Sequence, residues 1–228
     1  MTAALAVSQP VAAPLCVRAL GRCAYDVALA EQEALLTTVA AGAPEAVLLL
    51  EHPPVYTLGR GADAADLRGA PERLGVPIFR VGRGGGATFH GPGQLVAYPI
   101  VRLRAGGRDV HGYVRTLEAA LIDTCAAYGI EAAAPAGQTG VWVGERKIGS
   151  IGIGIRRGVA WHGIALNVAT DLSYFDAITV CRSAATRLVN LSTLVEGDVS
   201  VAEVGAVFAR ALALRLDRQM DQSEARWP

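Results

Sequence analysis

The sequence predicts an α+β fold, a mixed and largely antiparallel β-sheet with helices packed against it. Three features point there. Segments 24–41 and 109–129, and a third opening at Ser200, carry apolar residues at helical spacing. Between them lie short apolar runs at 47–50, 55–58, 77–81, 95–103, 139–143, 146–155 and 159–168, the lengths and compositions of strands. The last of these runs are joined by very short turns, which suit antiparallel neighbours and leave no room for a crossover helix.

Residues 1–14 read as a loose tail, followed by a single domain over 15–220 and a C-terminal tail over 221–228. The first helix would place Val27, Ala30, Ala34, Leu35 and Val39 on one face and stop at Gly42, with Pro44 beyond. Val47–Leu50 and Val55–Leu58 flank a rigid His52-Pro53-Pro54 turn, and 61–75 is a connection rich in small and charged residues. Asp109 is placed to cap a helix with Val110, Tyr113, Val114, Leu117, Leu121 and Cys125 on its apolar face, ending at Gly129. Strands at 139–143, 146–155 and 159–168 follow, turned by Gly144-Glu145 and Arg156-Arg157-Gly158. Ser200 and Glu203 have the spacing of a capping box, ahead of Val201, Val204, Phe208 and Leu212 on one helix face.

At 228 residues, 52% hydrophobic and 18% charged, the chain can bury a substantial core. A formal net charge of zero argues against nucleic acid as the main partner. Local arginine pairs remain, at 80 and 83, 102 and 104, 156 and 157, and 182 and 187. No run approaches the length of a membrane span, and the N-terminus lacks the basic start of a signal peptide. The four cysteines show no metal-ligand spacing, so reduced thiols in a cytoplasmic protein without metal are expected.

Four features carry chemistry. Six of the twelve residues from Gly82 to Gly93 are glycine, a density that a surface loop would explain but that also lets a ligand lie against bare backbone. Arg83, Thr88, His90 and Gln94 add a charge, a hydroxyl, an imidazole and an amide, which favours the second reading. Of 21 basic residues, 20 are arginine and one, Lys147, is lysine. An amine can give up its proton when desolvated, whereas a guanidinium does not. In a regular strand Lys147 would share the apolar face of Ile151, Ile153 and Ile155, although Gly149, Gly152 and Gly154 could introduce a bulge that upsets this parity. His162 likewise falls on the face of Ile164, Leu166 and Val168. Cys181 sits among Thr179, Arg182 and Ser183, where nearby cations would lower a thiol pKa and make a nucleophile. Cys125 reads as a core residue and Cys16 and Cys23 as tail residues.

The segment from Arg83 through Gly84, Gly85, Thr88, His90-Gly91-Pro92-Gly93-Gln94 to Tyr98-Pro99 resembles the signature of the lipoyl (octanoyl) transferases. The resemblance begins at His52-Pro53-Pro54 and continues in Gly140-Val141-Trp142-Val143, Arg146–Gly152, His162–Val168, Phe175 and Cys181. It implies the catalytic-domain fold of biotin and lipoate protein ligases. It also implies transfer of an octanoyl group from octanoyl-acyl carrier protein to a lysine of lipoyl domains. Those acceptors belong to the 2-oxoacid dehydrogenase complexes and the glycine cleavage H protein. By this resemblance Cys181 carries the acyl thioester and Lys147 lowers its pKa and shuttles protons. Arg83, Gly84, Gly85, Gly86, Ala87, Thr88, Phe89, His90, Ser150, Ile151, Gly152, Gly163, Ile164 and Ala165 would line the acyl pocket. No cofactor, metal or nucleotide is implied, because the thioester already stores the energy.

Two features depart from the family pattern. Val180 and Arg182 flank Cys181 where proline and glycine are usual, and Gly86 replaces a commonly polar residue. The resulting Gly84-Gly85-Gly86 triplet is similar to that of ATP-dependent lipoate protein ligases. A ligase or an amidotransferase is therefore the alternative reading, and an acyl- or carrier-protein-binding module without chemistry is the third.

Overall fold

A computed structural model describes residues 14–63, 66–68, 75–103, 109–179, 186–224 and 226–227. Its strands in chain order are β1 (Pro14–Arg22), β2 (Glu45–Glu51), β3 (Val55–Leu58), β4 (Ile78–Arg80), β5 (Ala87–His90), β6 (Gln94–Arg102), β7 (Val141–Val143), β8 (Arg146–Arg156), β9 (Val159–Asn167), β10 (Arg187–Leu188) and β11 (Gln219–Glu224). The helices are α1 (Tyr25–Ala40), α2 (Val110–Ala126) and α3 (Val201–Leu216).

The larger sheet runs β10-β8-β9-β6-β2-β1-β11, with β7 also paired to β8. Its centre is antiparallel: β8 pairs with β9, β9 with β6 and β6 with β2. Its flanks are parallel, β1 with both β2 and β11, and β10 with β8. A second sheet, β4-β3-β5, diverges at the His52-Pro53-Pro54 turn, so the strands on either side of that turn belong to different sheets.

Alternation along the central strands feeds two layers. Val47 and Leu49 of β2, with Leu95 and Ala97 of β6, join Leu117, Leu121, Phe208 and Leu212 in one core beneath α2 and α3. The intervening Leu48, Leu50, Val96 and Tyr98 face α1 through Ala28. Each wholly buried Leu or Phe contributes roughly 1.5–3 kcal/mol relative to exposure. α2 begins where Asp109 accepts the Gly112 amide, and α3 begins with the complete Ser200–Glu203 capping box.

The apolar stripe of α1 is turned from the expected one. Tyr25, Ala28, Gln32, Leu36 and Val39 are buried, while Val27, Ala30 and Ala34 are exposed. The reason is Gln32, wholly buried, whose Oε1 accepts the His162 backbone N–H at 3.0 Å and draws that polar position inwards. Four strands had no clear signature: β1, β5 within the glycine-rich stretch and β10 were not anticipated, and β11 crosses the boundary expected between domain and C-terminal tail. β1 carries Cys16, which is therefore in a sheet and not a tail. Both β1 and β11 are built from partners far apart in sequence, Pro14 opposite Gln219. No helix among the described residues is long and apolar enough to cross a membrane.

Candidate active site

A cavity of about 1130 Å³ opens between the α1 face of the large sheet and the second sheet. The glycine-rich stretch forms one wall. The 150–152 segment of β8 and the 163–165 segment of β9 form another, and Pro135, Gln138, Thr139 and Trp142 border the Lys147 end. Of the pocket residues expected from sequence, Arg83, Gly85, Gly86, Ala87, Thr88, His90, Ser150, Ile151, Gly152, Gly163, Ile164 and Ala165 line it. Gly84 and Phe89 do not. The Gly84 N–H donates to Ile153 O at 2.8 Å, and Phe89 turns away to stack on Tyr174 with ring centroids 4.5 Å apart.

The glycine-rich wall is shaped from beneath by Arg83. Its Nη1 donates to the carbonyls of Gly84 and Gly86, both at 3.0 Å, and Nη2 donates to Thr57 O at 2.7 Å and Thr57 Oγ1 at 2.8 Å. A charged, planar donor is thus spent on pinning a loop whose carbonyls face inward. Glycine is needed around it for space. A Cβ on Gly59 would overlap Gly85 O, and one on Gly152 would come within 2.9 Å of the Arg83 Cδ. The unusual Gly86 has an explanation of the same kind: a Cβ there would lie 2.8 Å from the carboxylate of buried Asp66.

Three histidines surround one end of this region, all kept neutral mainly by burial. His52, pushed down to about 4, donates from Nδ1 to Cys23 O at 2.7 Å and accepts the Tyr98 hydroxyl at Nε2 at 2.8 Å. His90, pushed down to about 3 by burial and then by His52, donates from Nδ1 to Gln94 Oε1 at 2.7 Å. That amide is oriented by its own donation to Asn167 Oδ1, so the second His90 nitrogen is left as an acceptor. His162 is also pushed down to about 3, by burial first and by Arg83 second. Tyr25, raised to about 12 by burial, completes the group.

His162 is not on the face its parity implied. Its φ of +56°, rare for a side-chain-bearing residue, takes it out of the strand alternation. Its ring stacks on the neighbouring Trp161 with centroids 4.0 Å apart and meets Tyr98 edge-on, on the α1 side. Neither ring nitrogen has a hydrogen-bond partner among the described residues. The β6–β9 pairing lapses here, between Ala97 opposite Ile164 and Val101 opposite Ala160, where Pro99 interrupts β6.

Lys147 departs from parity through a bulge. Val141 pairs with Gly149 and Trp142 with Lys147, so Ile148 is the extra residue on β8. Ile148 enters the core under α2 together with Ile153, while Lys147 lines the cavity, only 3% exposed. Its Nζ donates to Thr139 O at 3.0 Å and lies 4.7 Å from the Trp142 ring centre. Cys181 lies outside the described residues, as do its neighbours Val180 and Arg182. Beyond that segment, Thr186 and Arg187 line the cavity, and Leu188 pairs with Lys147. Cys125 is buried in the α2 core, its thiol pushed up to about 11. Among the described residues no group of three or more His, Cys, Asp or Glu side chains is placed to hold a metal ion.

This strand order, cavity and lysine can be set against known proteins. The family model of the lipoyl protein ligase A/B catalytic domain matches residues 24–213. The chain belongs to that family. The octanoyltransferase of Geobacter metallireducens is 42% identical over 216 residues, 93% of this chain and 98% of the relative. That of Solibacter usitatus is 48% identical over 209 residues, 90% and 94% of the two chains. Among solved structures, protein Ta0514 of Thermoplasma acidophilum with bound lipoic acid superposes with a TM-score of 0.76 at 22% identity, covering 92% of this chain and 88% of that one. A lipoate-protein ligase A bound with ATP gives 0.74 at 20% identity, covering 94% and 91%. At such identities the two structures establish the family's fold, a mixed sheet with packed helices.

Sequence reasoning assigned no role to Glu118 or Gln32 and placed His52 and Tyr98 only within the family motifs; all four are buried and bonded to groups at or near the cavity wall. Glu118 had a faint signal: it is a carboxylate on the flank of an otherwise apolar helical stripe.

Proposed function

We propose that the chain transfers an octanoyl group from octanoyl-acyl carrier protein to a lysine of lipoyl domains, through an acyl thioester on Cys181. The observation that carries this reading is the placement of Lys147. The chain's single amine-bearing side chain is buried in the wall of a cavity large enough for an acyl chain and part of a carrier arm. The names of the curated relatives support the same activity. Thr186, five residues beyond Cys181 in the chain, lines the cavity that Lys147 lines, which supports the reading.

In the first half-reaction the Cys181 thiolate attacks the thioester carbonyl, a new carbon–sulfur bond forms and the carrier thiol leaves with a proton supplied by Lys147. In the second, the acceptor amine attacks the acyl-enzyme and its proton passes to Lys147 as the Cys181 sulfur departs. Neutral His90 and His162 add no charge to the cavity wall, and the Arg83 cation beside them is tied to Thr57 and to the carbonyls of Gly84 and Gly86. The acceptors we expect are lipoyl domains of 2-oxoacid dehydrogenase complexes and the glycine cleavage H protein, in the cytoplasm.

The test is the intact mass of the protein after brief incubation with octanoyl-acyl carrier protein in the absence of ATP. A gain of one octanoyl group, absent from Cys181→Ala, is expected. No gain without ATP, followed by octanoyl-adenylate formation once ATP is added, would replace the transferase with a ligase.

A further inference from the structure

We propose that Glu118 is a positioning residue for Lys147, acting across the single peptide unit that joins Thr139 to Gly140. Glu118 projects from α2 and is only 2% exposed, a costly place for a carboxylate unless its oxygens are used. One oxygen pairs with Arg115 at 2.5 Å, and the other accepts the Gly140 N–H at 3.1 Å. The carbonyl of that same peptide unit, Thr139 O, accepts the Lys147 Nζ at 3.0 Å. In a planar trans peptide the N–H and C=O point in opposite directions, so gripping one end sets the direction of the other. A negative charge at the N–H end also polarises the unit and strengthens its oxygen as an acceptor for an amine.

Gly140 makes the arrangement possible. Its φ is +124°, where a side chain is strained. A Cβ there would lie 2.7 Å from Lys147 Cε, 3.0 Å from Nζ and 2.5 Å from Gly149 O. The lysine stem therefore rests on the bare face of the residue that Glu118 holds. Carboxylate, peptide and amine form one line from the core beneath α2 to the cavity wall.

The proposal rests on the reading of Lys147 as the partner of Cys181, and its test separates the two. Alkylation of Cys181 by iodoacetamide, quantified by peptide mass across a pH series, reports how well the amine supports the thiolate. Lys147→Ala is expected to move the profile to higher pH. Glu118→Leu should move it the same way, with about a tenfold loss of rate at neutral pH, and Glu118→Gln about threefold. The double variant Lys147→Ala with Glu118→Leu should be no slower than Lys147→Ala alone, because both act through one group. If Lys147→Ala leaves the profile unchanged, the reading of the pair is wrong. If Lys147→Ala shifts it and the Glu118 variants do not, or if the double variant is additive, the positioning role is refuted. Should Glu118→Leu fail to fold, the isosteric Glu118→Gln decides, and a wild-type profile from it overturns the proposal.

Discussion

Acidification from about pH 7.5 to about pH 5 is expected to strip this protein of roughly 6 kcal/mol of stability through His52, His90 and His162. All three are held neutral in the folded state, near 4, 3 and 3, against an ordinary value of 6.5, and burial is the leading cause in each case. Because their folded values are depressed, the unfolded chain takes up protons first. The stability they contribute is whole above about pH 6.5 and is lost as the pH falls towards their folded values. At pH 5 each unfolded imidazole gains about 2 kcal/mol from protonation that its folded counterpart forgoes. Their exposures of 0%, 7% and 1% leave little solvent screening to reduce that figure. About 6 kcal/mol is a large share of the roughly 5–15 kcal/mol that holds a domain together. Urea titrations at half-unit pH intervals give the number of protons directly from the slope of stability against pH. About 2.5 are expected between pH 6 and 5, a window above the ordinary carboxylate range, and His162→Gln should remove a little under one. A wild-type slope of one proton or less would show that these rings are not held neutral, and would refute the account of the region.

Two further outcomes follow from particular contacts. Arg83→Lys keeps the charge but cannot bridge Thr57 to the carbonyls of Gly84 and Gly86, so a loss of about 3 kcal/mol in chemical denaturation is expected. A loss below about 1 kcal/mol would mean that the loop does not depend on the guanidinium fork. Ser200→Ala removes one half of the α3 capping box and should cost about 1 kcal/mol, lowering Tm by about 2–4 °C. An unchanged Tm would show that the start of α3 is set by packing alone.

The glycine-rich stretch shows where local sequence stops being informative. Its density announced close backbone approach, and the cavity does run along it, but the approach is largely internal. Arg83 Nη1 takes the carbonyls of Gly84 and Gly86, and Gly59 and Gly61 donate to Gly86 O and Gly85 O. Nothing local distinguishes a loop that wraps a ligand from one that wraps its own arginine. Lys147 and His162 make the same point for strands. Period-two alternation holds only while pairing is regular, and each lies where it lapses, at the Ile148 bulge and opposite Pro99.

The kinds and order of the helices and central strands, the α2 and α3 caps, the family motifs and the single lysine could all be read along the chain. These rest on propensity, period and capping, which act over a few residues. Tertiary structure decided which side of β8 the lysine takes, that β1 and β11 close the sheet's edge, and that Gly86 faces Asp66. It alone brought Glu118 to Gly140 across 22 residues and Gln32 to His162 across 130. Such partners are chosen by which buried donor would otherwise go unsatisfied, and that becomes defined only once the layers are packed.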